Sequence, residues 1–189
     1  NRMGTAVPKQ FLDLEGKPVI VHTVEAFLKA FPSIELIIVL PASYQKMGKE
    51  LLLKHLPEKN LHFTEGGSTR FDSVKHGLQK VKGPAIVFIH DAVRCLVSTS
   101  LIQRCYDQAT LLGTAIPSVA VKDSMRMISA DKTRVVDRDN LRSIQTPQTF
   151  HSDIIIPAFQ QEFEPSFTDE ATVVEKYGQK IELIEGEET

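Results

Sequence analysis

AIVFIHDAVR, Ala85 to Arg94, is the stretch that decides the fold. Ala85–Ile89 is a continuous apolar run of strand length, and it gives way at once to His90, Asp91 and Arg94. Core strands ordinarily stop in turn formers such as Gly, Asn or Pro. In open α/β sheets, ligands bind just outside the carboxyl ends of the strands. An acid at that place is well sited to hold a metal ion, and an arginine beside it to hold a phosphate. The plainer alternative is an Asp91 that caps the next turn and pairs with Arg94, since structural ion pairs resemble functional ones. The stretch alone leaves both open.

Outward from it, helix and strand patterns alternate. On the N-terminal side, 18–31 places Val19, Val21, Val24, Phe27 and Leu28 at helical spacing, and the strand-like IELIIVLP (34–41) follows. Residues 43–56 are helical, LHFTE (61–65) is a short strand ending in Gly66-Gly67, and 70–81 is helical again. On the C-terminal side, 98–113 predicts a helix closed by Gly113, and TAIPSVAV (114–121) a strand. This rhythm predicts an α/β fold with a mostly parallel sheet covered on both faces.

From Lys122 to Thr149 the rhythm breaks. DSMRMIS (123–129) and TRVVDR (133–138), joined by ADK, predict a β-hairpin. An isolated hairpin is marginal in water, so this arm should pack on something, and a partner subunit is the economical candidate. Helical patterns resume at 152–163 and 168–178, with Ser152 and Thr168 as the expected N-caps. KIELIEG (180–186) reads as a last strand.

Bulk properties narrow the setting. A chain of 189 residues, 42% hydrophobic, suits a single globular domain. Lys and Arg number 22 against 24 Asp and Glu, so no basic excess points to nucleic acid as a partner. No apolar run reaches the roughly 20 residues that cross a bilayer, and no membrane partner is expected. Cys95 and Cys105 form no C-x-x-C pair, which speaks for reduced thiols and a cytoplasmic protein. The chain starts NRMG and stops at EGEET, and reads as part of a longer protein.

Four polar clusters should gather at one edge of such a sheet. NRMGTAVPKQF sets Arg2 and Lys9 without an acid between Asn1 and Gln10, which suits a phosphate-rich ligand; the alternative is a solvated basic loop. EGGSTRFDS could bring backbone N–H groups against a base or phosphate, with Ser68 capping the next helix, or it could be an ordinary turn. HDAVR is the third cluster. VDRDNLRSIQTPQTF, with Arg138, Thr146 and Gln148 around Pro147, is the fourth, or else a polar connector. His90 is read as a structural side chain satisfied by nearby backbone.

The order PKQ…GG…R.DSV..GL…HDA.R…DS…R…TPQ.F…TDEA..VE..G closely resembles the 2-C-methyl-D-erythritol 4-phosphate cytidylyltransferase family, through nearly all 189 residues. The resemblance implies a Rossmann-like nucleotidyltransferase domain whose hairpin arm, about 122–149, builds a homodimer. It implies transfer of a cytidylyl group from CTP to the methylerythritol phosphate, with Mg²⁺ and release of pyrophosphate. By position, Arg2 and Lys9 would stabilise the transition state, and Asp91 would help bind Mg²⁺ while facing both substrates. CTP contacts would come from Gly67, Ser68, Ser73, Asp91 and Ala92. The sugar-phosphate side would use Asp91, Arg94, Ser124, Thr146 and Thr168, with Arg138 acting from the neighbouring subunit's arm. Ribitol 5-phosphate as the acceptor, a bifunctional protein with this as one domain, and a non-catalytic nucleotide-binding module are the alternatives.

Overall fold

The computed structural model describes residues 8–56 and 60–188. A 3-10 turn, Lys9–Phe11, leads into a small antiparallel ribbon of β1 (Asp13–Leu14) and β2 (Lys17–Pro18). Pro18 then starts α1 (Val19–Ala30), whose apolar spacing becomes a buried stripe of Ile20, Val21, Val24 and Phe27. The strand β3 (Leu36–Leu40), the helix α2 (Gln45–His55) and the strand β4 (Leu61–Glu65) form a right-sized parallel unit, with β3 and β4 in register from Leu36↔Leu61 to Leu40↔Glu65. Next come α3 (Arg70–Leu78), β5 (Ile86–Ile89), α4 (Thr99–Leu112) and β6 (Thr114–Ala120). Ser98 caps α4 by accepting from Leu101 N at 3.0 Å. Gly113 ends it at φ 87°, a left-handed conformation that favours glycine.

The remaining strands are β7 (Met125–Ser129), β8 (Lys132–Val136), β9 (Arg142–Ile144), β10 (Gln148–His151) and β11 (Leu183–Glu185), with α5 (Ser152–Ala158) and α6 (Glu170–Lys176) between the last two. The larger sheet runs β11–β6–β10–β5, and β9 pairs with β6. β11 is parallel to β6, and β10 is antiparallel to both β6 and β5. Strands β5, β6 and β11 therefore point one way, with β10 and the short β9 reversed. The expected α/β fold holds, and the structure adds the reversed strands.

Two helices tie β3–β4 to this sheet. On one face, Ile20, Val21 and Val24 of α1 share a core with Ile38 and Leu40, while Phe27 lies 5.7 Å from Phe88, ring centroid to centroid. On the other, Phe71 and Leu78 of α3 join Ile116, Phe150, Val87 and Ile89, while Gly77 lets the helix approach Val39. Both helices thus straddle β3 and β5, and the carboxyl end of β5 emerges between them. Among the described residues, no ladder joins β3 to β5 directly.

Several local expectations change. The hairpin is β7 and β8 in a five-residue register, but the chain rejoins the sheet at β9, so the projecting part is shorter than 122–149. The helix expected over 152–163 stops at Ala158, one residue after Pro157. Ser152 is its first residue and not its cap; its Oγ accepts from Ala85 N at 3.0 Å and ties the helix to β5. Asp169, not Thr168, caps α6, because its carboxylate accepts from Thr172 N at 2.9 Å. Both cysteines are free, and burial pushes the Cys105 thiol up to about 11.

Candidate active site

Four loops meet at the carboxyl end of β5, and side chains fasten each to another. In the loop after β4, Gly67 N donates to Ser73 Oγ at 3.1 Å, and Ser73 Oγ donates to Thr69 O at 2.9 Å. A Cβ on Gly67 would lie 2.2 Å from Asp72 Cβ, so glycine is required for this close turn. The helix cap is Thr69, which accepts from Asp72 N at 3.0 Å, while Asp72 accepts from Thr69 N at 3.1 Å. Ser68, expected as the cap, instead donates to Asp72 Oδ2 at 2.7 Å. The hydroxyls of Ser68 and Thr69 hold the Asp72 carboxyl below its ordinary value.

The loop after β5 is pinned from three sides. Thr23 of α1 donates to Ala92 O at 2.8 Å. His90 Nε2 is 3.0 Å from Arg94 O and His90 Nδ1 is 2.9 Å from Thr146 Oγ1. A carbonyl can only accept, so Nε2 carries the proton and Nδ1 accepts from the threonine hydroxyl. Burial pushes the His90 pKa down, which matches this neutral tautomer. His90 is a strut joining its own loop to the Thr146 segment.

Asp91 answers the question its position raised. Its Oδ2 accepts from Arg94 Nε at 2.9 Å and its Oδ1 from Arg70 Nη2 at 3.3 Å. Burial pushes the carboxyl up, yet the two guanidiniums outweigh it and hold Asp91 below its ordinary value. It is therefore an ionised acid at the sheet edge with two cations beside it. The pairing with Arg94 and a role toward a ligand are compatible, because a carboxylate offers about four lone-pair positions.

The last two loops join through Gln148, whose Nε2 donates to Asp169 Oδ2 at 2.9 Å and whose Oε1 accepts from Ala171 N at 2.8 Å. Beside them, the fully buried Glu170 makes a close ion pair with Arg70 Nη1 through Oε1. Arg70 and Glu170 carried no role in the sequence reading. A sequence separation of 100 hides the pair, although the acid opening EATVV is a signal.

Of the expected site residues, Gly67, Ser68, Ser73, Asp91, Ala92, Arg94 and Thr146 come together in these loops. Thr168 is exposed and adjoins Asp169, at the rim. Lys9 is exposed on the opening 3-10 turn, and no described hydrogen bond ties it to the Asp91 loops. Ser124 and Arg138 are exposed on the arm, where Arg138 Nη1 donates to Lys122 O. Arg2 lies outside the described residues. No group of three or more His, Cys, Asp or Glu is gathered tightly enough to hold a metal ion among the described residues.

The whole chain, residues 1–189, matches the model of the family described as IspD, 2-C-methyl-D-erythritol 4-phosphate cytidylyltransferase. The chain belongs to this family. It is 41% identical over 185 residues to the cytidylyltransferase of that name from Bacteroides fragilis, covering 98% of this chain and 84% of the relative. A bifunctional enzyme IspD/IspF from Desulfotalea psychrophila is 40% identical and is matched over 49% of its length. The crystal structure of the Thermus thermophilus cytidylyltransferase superposes with a TM-score of 0.77 at 30% identity, over 95% of this chain and 84% of that one. Membership makes the chain a nucleotidyltransferase that joins CTP to methylerythritol phosphate in isoprenoid precursor synthesis.

Proposed function

We propose that the cytidylyl transfer takes place at the carboxyl end of β5, with Asp91 at its centre. The observation that supports this reading is the ionised Asp91 clamped between Arg70 and Arg94, beside the tight Gly67–Ser73 turn. An oxygen of the methylerythritol phosphate attacks the α-phosphorus of CTP in line. The new P–O bond forms as the bond to the β-phosphate oxygen breaks, and pyrophosphate carries away that electron pair. The protein's work is positioning and charge stabilisation, with no covalent enzyme intermediate.

Gly67, Ser68, Ser73 and Ala92 serve CTP, with the Gly67–Ser73 turn on the side of the base. Arg94, Ser124, Thr146 and Thr168 serve the sugar phosphate. Arg2 and Lys9 draw off negative charge as the transition state develops. The Asp91 donor set fits Mg²⁺ in the manner in which one or two carboxylates share the ion with substrate phosphates. Bound there, the ion would neutralise the triphosphate. We read the 189 residues as one catalytic unit, cytoplasmic, and paired as a homodimer in which Arg138 reaches the partner's site. No helix among the described residues is long and apolar enough to cross a membrane.

Pyrophosphate release with each nucleoside triphosphate tests the base reading. CTP should exceed UTP, ATP and GTP by about 10⁴, the discrimination typical of a site built to hydrogen-bond one edge. Comparable turnover with UTP would overturn it. Asp91→Asn should raise the Mg²⁺ concentration needed for half-maximal rate, and an unchanged metal titration would remove Asp91 from the metal.

A further inference from the structure

Arg70 bridges two carboxylates from different segments, Asp91 in the loop after β5 and Glu170 at the start of α6, as no other described ion-pairing side chain does. Glu170 is fully buried, at the first position of α6, and sits against the aromatic wall of Phe71, Phe159 and Phe167. Phe71 stacks on both other rings, at centroid distances of 4.8 and 5.5 Å. Taking a carboxylate out of water costs several kcal/mol, and a buried ion pair often stabilises no better than apolar residues of the same volume. Only Oε1 meets Arg70; Oε2 is buried without a partner among the described residues. A pair that leaves an oxygen unsatisfied is poorly explained by stability alone.

Geometry at the other end of Arg70 supplies the reason. The guanidinium is a rigid planar fork, so once Glu170 anchors Nη1, the direction of Nη2 is set. Nη2 meets Asp91 Oδ1, while Arg94 Nε meets Oδ2. The backbone of Arg70 is itself fixed, because it opens α3 directly after the Thr69 capping box. The carboxylate at the sheet edge is therefore held on one side from the exposed Arg94 and on the other from a buried anchor at the start of α6.

We propose that Glu170 and Arg70 are positioning residues of the transfer: Glu170 anchors Arg70, and Arg70 fixes the angle at which Asp91 meets the substrates and their ion. This rests on the reading of Asp91 given above. Neither residue touches the reacting atoms. Each acts through the next, as the outer partners of metal ligands do, where loss of one such partner commonly costs about ten- to a hundred-fold in metal affinity or activity.

The test uses the full-length enzyme and three single variants, Glu170→Gln, Arg70→Lys and Asp91→Asn, with the double variant Asp91→Asn/Glu170→Gln. Mg²⁺ binding to the enzyme–CTP complex is measured by titration calorimetry, beside kcat and melting temperature. Lysine keeps a charge for Glu170 but has no fork to reach Asp91. Glu170→Gln and Arg70→Lys should each weaken Mg²⁺ binding by about ten- to a hundred-fold. Adding Glu170→Gln to Asp91→Asn should weaken it no further, because residues acting on one another are not additive. A lowered melting temperature with unchanged Mg²⁺ affinity and kcat would overturn the inference, and so would multiplicative losses in the double variant. If Glu170→Gln fails to fold, Arg70→Lys decides the matter alone, since this side chain is partly exposed. Unchanged Mg²⁺ binding in Asp91→Asn would instead refute the reading of Asp91 itself.

Discussion

The loops around Asp91 and the β7–β8 ribbon are held by different means. In the loops, Asp91, His90, Gln148 and Arg70 each bond to a segment far away in sequence, and the apolar core lies directly beneath. In the ribbon, the bonds are internal: the ladder itself, Arg126 to Thr133 and Arg134 to the Met127 sulfur. Its apolar residues face water, with Ile128 80% and Val135 72% exposed. The Asp91 loops are held by bonds within their own chain. The ribbon leaves apolar surface uncovered by its own chain, and this exposure is the basis for proposing a second subunit there.

The largest effect expected from this contrast is on stability. Phe150 is fully buried in β10, at the base of the loops. Phe150→Ala should cost about 3–5 kcal/mol, as large core truncations do. Ile128→Ala, measured at a dilution that leaves single chains, should stay within about 0.5 kcal/mol of the parent. Denaturant titration of both variants reads the difference. An equal loss at Ile128 would mean that the ribbon packs on its own chain, and the contrast would collapse.

Next is the arm's part in the chemistry. Lys9→Ala and Arg138→Ala should each lower kcat by about 10²–10³, the usual loss when one charge-stabilising group is removed. Mixed together, they should partly recover. In a mixed dimer, the Arg138→Ala subunit keeps its Lys9 and receives an intact Arg138 from its partner, while the other site lacks both. Random exchange makes about half the dimers mixed, each with one working site, so activity should return to roughly a quarter of the parent by this two-fold symmetry. An Arg138 that acted within its own chain would leave the mixture at background.

The same contrast explains what could be read from the sequence. Periodicity marks α1, α3, α4 and β3 to β6 because each carries an apolar stripe or a short apolar run. HDA raises the expectation of a ligand end because charge follows the apolar run at once. Caps were placed one residue away from the true ones at Ser68, Ser152 and Thr168, since neighbouring hydroxyls and acids compete for the same backbone donors and tertiary contacts choose among them. Ser152 was claimed by Ala85 N, across 67 residues. The reversed β10 was also hidden: strand direction depends on the path of the preceding loop, and the apolar pattern is the same either way. The Arg70–Glu170 pair was least legible, because each half looks like an ordinary charged helix start until the two are folded together.

The smallest predicted effect lies within the prebuilt loops and concerns acid. Asp72 accepts from Ser68 Oγ at 2.7 Å, Thr69 Oγ1 at 2.9 Å and Thr69 N at 3.1 Å. The two hydroxyls and the amide all favour its charged form, so its folded pKa lies below the ordinary 3.8. A folded pKa lower than the unfolded one means that the unfolded chain binds the proton more readily. The contribution of Asp72 is then fully present above about pH 3.8 and is lost as pH falls through the lower folded value. Asp72→Asn removes that titration while keeping a side-chain oxygen for the Thr69 amide. The variant should melt slightly below the parent at neutral pH, and the two melting curves should converge as the acid side is reached. A gap that stays constant from neutral to acid pH would show that the Gly67–Ser73 turn is held without the charge of Asp72, by the Ser73 and Thr69 hydroxyls alone.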